Sequence, residues 1–175
     1  MSTKSRPDNE MALTHERLIE LVTYDPLTGI FRPRIKRLGV RHRNDGALGF
    51  VEKNGYRRLT IDYRKYLAGR LAWFFVRKEW PAATVDHKNL DRDDNRISNL
   101  RLATHSQNHA NTGPVRNSKS GLKGAHWNSA QKCWQSYIKV NGKSIFLGRF
   151  KTAVKAHKAY IIAATKMHGD FARFQ

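Results

Sequence analysis

The sequence predicts an α+β protein built in two parts, and three observations predict it. Between residues 111 and 121, "NTGPVRNSKSG" gathers Gly, Pro, Asn and Ser without an apolar period, the composition of a connection between folded parts. Asn-Gly pairs stand between β-like runs on both sides of that break, at Asn54-Gly55 and Asn141-Gly142. A two-residue type I′ turn needs positive φ at both central positions, so each pair marks a hairpin. Apolar residues at helical spacing then mark separate helices at residues 14–22, 67–80 and 152–170.

Composition bounds the function. The chain has 175 residues, 39% of them hydrophobic, enough for one medium domain or two small ones. No run reaches the length of a membrane span, and "MSTKSRPDNEMALTHERL" has no apolar signal-peptide core, so the expected location is cytoplasmic. The lone Cys133 excludes an internal disulfide and reads as a passive strand residue. Thirty-three Lys and Arg against 14 Asp and Glu call for a polyanionic partner. Residues 117–175 hold eleven of those bases and one acid, Asp170, interleaved with aromatics, which suits a folded nucleic-acid surface better than a membrane-lying helix.

In the N-terminal part, Leu18, Ile19, Leu21 and Val22 are the buried side of a short helix stopped at Asp25-Pro26 and Thr28-Gly29. "FRPRIKRLGVRHR" follows, with six Lys or Arg in thirteen positions, a solvated loop or a phosphate-tracking arm. After the Asn54-Gly55 hairpin, Leu67, Leu71, Phe74 and Phe75 share a helix face that reads as core, and Pro81 ends the helix.

The densest acidic cluster lies at residues 86–108, "DHKNLDRDDNRISNLRLATHSQN", with four aspartates in a basic chain. "ATVDHKN" and "NLRLAT" read as two short strands, and Thr104 to Gln107 has the form of a capping box opening a short helix. This strand, loop, strand, helix unit brings Asp86, His87, Asn99 and Asn108 from three elements toward one point. A calcium EF-hand fails here because Arg96 stands where Gly is required and Leu102 where a bidentate Glu is required. His105 and His109 have zincin spacing, but Ser106 replaces the catalytic Glu and no cysteine pair completes a structural zinc site. Asx turns and caps explain any one of these polar residues. They do not explain all four at this spacing.

"VDHKN", "RISNLR" and "THSQN" resemble the HNH endonucleases, the ββα-metal or His-Me finger nucleases, and within them the phage and intron-encoded homing enzymes. "YLAGRLAWFF" and "YDPLTGIF" extend the resemblance over most of residues 14–112. It implies an HNH domain over 1–112, with the ββα-metal motif at about 84–112 and a linker at 113–120. Asp86 and Asn108 would hold one divalent ion, Mg²⁺ or Mn²⁺, since two oxygen ligands with the rest left to water and phosphate suit a hard cation. His87 would take the proton from the attacking water, and Asn99 would accept a hydrogen bond from its other ring nitrogen and fix the tautomer. Asp91, Asp93 and Asp94 have no catalytic duty in this reading. Gly69 departs from the family, where many relatives carry His before "RLAW"; the departure alters a supporting contact outside the metal motif.

The C-terminal part, residues 121–175, reads as three strands and one helix capped by Thr152 and stopped at Gly169. Ala153, Ala156, Ala159, Tyr160, Ala163, Ala164 and Met167 form the helix stripe, faced by Trp134, Ser136 and Ile138 of the second strand. Gln135, Tyr137 and Lys139 then point outward. "W...YIKV...FLGRF...A...AYIIAA" resembles the ethylene-response-factor (APETALA-type) DNA-binding domain, which lays such a sheet in the major groove. Lys123 and Lys139 match basic contact positions of that family, His126 and Asn128 stand where it often has Arg, Tyr137 replaces an acid and Ser144 a base. The base-reading set is altered, and the target sequence does not carry over.

The expected protein is a two-domain endonuclease on double-stranded DNA, homing or phage-encoded, a monomer or weak dimer without an organic cofactor. Residues 117–175 are expected to supply affinity while the Asp86, His87, Asn99 and Asn108 set stays whole without them. The alternative is a DNA-binding transcriptional regulator with an inactive HNH domain, against which the intact set argues. RNA binding is weaker, since the sheet lacks RNP-type aromatic sequences.

Overall fold

The structure is a computed structural model that describes residues 10, 12–34, 46–113 and 118–174. Most of the expected basic arm and the centre of the linker lie outside the described residues. The architecture is α+β, helices with small antiparallel sheets. The chain divides into two compact units, Met1–Leu102 and Ala103–Gln175.

In the first unit, helix α1 (His15–Leu21) starts where Thr14 accepts a hydrogen bond from the Arg17 N–H, and it buries Leu18 and Leu21. Val22, expected at its end, instead begins strand β1 (Val22–Asp25), which pairs with β2 (Ile30–Pro33) across the Pro26–Gly29 turn. The Asn54-Gly55 hairpin joins β3 (Phe50–Val51) to β4 (Arg57–Ile61). A third strand, β5 (Arg64–Leu67), adds to β4 through Asp62 and Tyr63, both at positive φ without a glycine. Helix α2 (Ala68–Arg77) ends at Lys78, which takes the left-handed conformation. Leu18, Phe31, Leu59, Ile61 and Leu71 are fully buried in one core, each contributing about 1.5–3 kcal/mol of hydrophobic stabilisation. Beside that core lie strands β6 (Thr84–His87) and β7 (Leu100–Ala103), joined by a loop that closes with a 3₁₀ turn at Ile97–Asn99.

The second unit opens with helix α3 (His105–Ala110), where both bonds of the capping box form: the Thr104 N–H donates to Gln107 Oε1, and the Gln107 N–H to Thr104 Oγ1. Strands β8 (Ala125–Asn128), β9 (Cys133–Val140) and β10 (Lys143–Phe150) form an antiparallel sheet in the order β10-β9-β8. Helix α4 (Ala153–His168) packs on it, capped by Thr152 and ended at Gly169. Ser136 and Ile138 are buried toward the helix, which buries Ala156, Tyr160 and Ala164. Met167, expected in this stripe, is exposed near the last turn, past the end of the interface.

Candidate active site

Asp86 and His87 end β6 side by side and both are buried. The loop after them is built from the acids that sequence reasoning left without a task. Asp93 takes both branches of the Arg57 guanidinium at 2.7 Å, tying the loop to β4. Asp94 pairs with Arg96 and accepts from Asn89 Nδ2, and Asp91 accepts from the Asp93 N–H. Arg92 lies over the Tyr56 ring and donates to the Asn54 carbonyl. Gly29 lets the β1–β2 turn approach the loop backbone: at φ +74°, a side chain there would meet Arg96 N at 2.5 Å.

Asn99 is drawn into the same loop. Its Oδ1 accepts from the Asn89 N–H at 3.1 Å, and its Nδ2 donates to the Asp94 carbonyl at 2.8 Å. The bond to His87 expected of Asn99 is made by another residue, because the 3₁₀ turn aims the Asn99 carboxamide along the loop. Asn95 meets the ring instead, its Oδ1 lying 3.4 Å from His87 Nε2. Asn95 is 1% exposed; its Nδ2 donates to the Asp93 carbonyl, and its own carbonyl accepts from the Tyr24 hydroxyl. That network turns the Asn95 oxygen toward the imidazole. Gly69 also belongs here and is not remote: a Cβ at that position would lie 3.3 Å from Asn95 Oδ1 and 3.5 Å from His87 Cε1. Burial pushes the His87 imidazole below its usual pKa, opposed by the Asn95 oxygen and by Asp86, Asp94 and Asp91.

Asp86 Oδ2 accepts from Arg101 Nε at 2.9 Å, a partner the sequence did not reveal. Asn108 lies on α3, in the second unit, with its N–H bonded to the Thr104 carbonyl. Among the described residues no group of three or more His, Cys, Asp or Glu forms a metal-holding cluster.

The expected DNA-contacting residues divide. His126, Tyr137, Lys139 and Ser144 are exposed, and the register pairs Tyr137 with Phe146, Lys139 with Ser144, and Gln135 with both His126 and Arg149. These cross-strand partners share the face turned away from α4. Gln135 accepts from the Tyr137 hydroxyl, and Asn128 caps the β8–β9 turn by accepting from the Gln131 N–H. Lys123 does not point outward. Its ammonium donates to the Ala110 carbonyl at the end of α3 and to the Thr112 carbonyl beyond it, and lies over the Tyr160 ring; desolvation, helped by the Arg173 charge, lowers its pKa to about 8.

Residues 66–110 match the family model of the HNH endonucleases. The chain is also 29% identical over 93 residues to Protein 3.8 of Escherichia phage T7, a stretch that spans 52% of this chain and 74% of that protein. No solved structure matches it significantly. Among the described residues no helix is long and apolar enough to cross a membrane.

Proposed function

We propose that this protein is a divalent-metal-dependent DNA endonuclease, phage-encoded or homing, that hydrolyses phosphodiester bonds in double-stranded DNA. The observation that carries the reading is the buried Asp86–His87 pair at the end of β6, inside the segment that matches the HNH endonucleases. His87 acts as general base. Its lowered pKa favours the neutral imidazole that a general base needs, and Asn95 Oδ1 beside Nε2 orients the ring. Asn99 serves the site through the loop it braces. The buried Asp86 carboxylate is a hard oxygen donor, fitted to Mg²⁺ or Mn²⁺, and Asn108 is the second ligand that the sequence resemblance implies. When bound, the ion stabilises charge on the pentavalent phosphate and the leaving oxygen. The C-terminal sheet supplies DNA affinity, in keeping with its charge and its likeness to ethylene-response-factor domains.

A regulator with a silent HNH domain is the second reading, favoured by the Arg101 guanidinium on Asp86. Incubating the protein with supercoiled plasmid in Mg²⁺ or in EDTA separates the two. The nuclease reading requires nicked or linear product in Mg²⁺ alone, lost in His87→Ala. Plasmid binding without cleavage across Mg²⁺ and Mn²⁺ supports the regulator.

A further inference from the structure

We infer that the outward face of the C-terminal sheet is a stacking platform for single-stranded DNA, so that the substrate presents unpaired bases to it. This rests on the reading that the protein acts on DNA, and it replaces for this face the groove docking that the likeness to ethylene-response-factor domains implies. Three rings cross the face, one from each strand. The His126 and Tyr137 rings are 6.2 Å apart, and the Tyr137 and Phe146 rings 5.1 Å apart. Tyr137 is 36% exposed and Phe146 49%, although apolar rings on a folded sheet are ordinarily turned to the core. Lys139 and Arg149 flank the row, and residues 117–175 hold eleven bases and one acid.

The chemistry selects the occupant. A duplex covers the π-faces of its own bases, so it offers Phe146 only a thymine methyl at the groove edge and offers the row of three rings no base face to stack on. An unpaired strand offers its base faces to the rings and its phosphates to the flanking cations, the combination that single-strand-binding sheets use. A cleft of about 1090 Å³ continues the face, with His126, Tyr137 and Lys139 on one side and Thr104, Ser106 and Ala110 of the α3 segment on the other. It gives a displaced strand a path from the rings toward the helix that carries Asn108. RNA stacks in the same way, but the nuclease domain in this chain makes DNA the commitment.

The test measures the full-length protein by fluorescence anisotropy with a labelled single-stranded DNA, the same sequence as a duplex, and its RNA counterpart. Tyr137→Ala and Phe146→Ala should each weaken single-strand binding roughly 5- to 150-fold, the value of one base stacked on an aromatic ring, and change duplex binding less than about twofold. Tyr137→Phe and Phe146→Tyr should keep single-strand affinity, which a merely charged surface would not distinguish from the alanine variants. Equal losses on single strand and duplex, or no loss on single strand, overturn the platform. RNA bound more tightly than DNA, with the same ring dependence, overturns the assignment to DNA. Plasmid cleavage by the parent protein, measured alongside, separates failure of the platform from failure of the nuclease reading.

Discussion

Arg101 donates through Nε to Asp86 Oδ2 at 2.9 Å, and the two side chains are 14% and 6% exposed. A guanidinium thus sits on the carboxylate proposed to bind a divalent cation, and two cations compete for one anion. Arg101→Gln should therefore destabilise the metal-free protein, because the buried carboxylate loses the Arg101 charge. Mg²⁺ should then raise the melting temperature of Arg101→Gln by more than it raises that of the parent, since ligand binding to the folded state adds stability. A smaller Mg²⁺ response in the variant would mean that Arg101 assists the ion and does not oppose it.

His87→Ala should reduce cleavage by ~10²–10⁴, the usual value of a general base, with DNA affinity little changed. The pH profile carries its own sign. Burial holds the folded imidazole below its usual pKa, so cleavage should rise with pH through a value under about 6.5 and level off above it. Stability follows the same group: it is complete above the unfolded value and falls as pH drops below that value, because the unfolded state takes up the proton more readily. A profile whose acidic limb lies above pH 7 would remove His87 as the base.

Local signals were legible because they need only neighbours in sequence. Thr104 and Gln107 form their reciprocal cap, and hairpins turn at Asn141-Gly142, where both residues take positive φ, and at Asn54-Gly55, where Gly55 alone does. Strand β5 was not legible, since Asp62 and Tyr63 turn without glycine and Asp62 is held by Arg17, 45 residues away. Asn95 was hidden for the same reason: its place depends on Tyr24, 71 residues away in sequence. The sequence pointed to Asn99 as the partner of the imidazole; the 3₁₀ turn, which no local signal announced, turns Asn99 along the loop and leaves Asn95 at the ring.

Asn95→Ala should cost more than a surface change. It removes the acceptor at His87 Nε2 and one of two donors to the Asp93 carbonyl, which keeps the residue-95 N–H, and losing the buried bond at the imidazole should cost about 1–3 kcal/mol. Cleavage should fall with stability. Denaturant unfolding checks the first effect, and single-turnover cleavage at saturating protein checks the second. A variant as stable and active as the parent would show that the loop orients His87 without Asn95.

The acidic loop should also set an acid limit on the fold. The bond from the Arg96 guanidinium, with help from Asn89, lowers the Asp94 pKa to about 2. A carboxylate held below its unfolded value of about 3.9 stabilises the fold above that value, and the contribution is lost as pH falls toward 2. Arg96→Ala should narrow this gap, leaving the variant less stable than the parent at neutral pH and losing less of its stability between about pH 4 and pH 2. Superimposable acid-unfolding curves for parent and variant would assign the limit to other carboxylates.

Lys123 and Lys139 resemble each other in sequence as basic positions, and the structure predicts opposite behaviour. Lys139 is exposed on the outward sheet face, so Lys139→Ala should flatten the plot of log affinity against log salt by roughly 0.9 units if it meets one phosphate. Lys123 spends its donors on the Ala110 and Thr112 carbonyls, so Lys123→Ala should leave that slope unchanged and instead loosen the segment after α3. Deleting residues 117–175 is therefore not a clean removal of affinity, because the Asn141 N–H also donates to Ser106 on α3, the helix that carries Asn108. Cleavage should fall in the truncated protein even at concentrations that restore DNA binding. Binding across a salt series, with hydrogen exchange of residues 105–112, separates the roles. A flattened salt slope in Lys123→Ala, without faster exchange there, would put Lys123 back among the phosphate contacts.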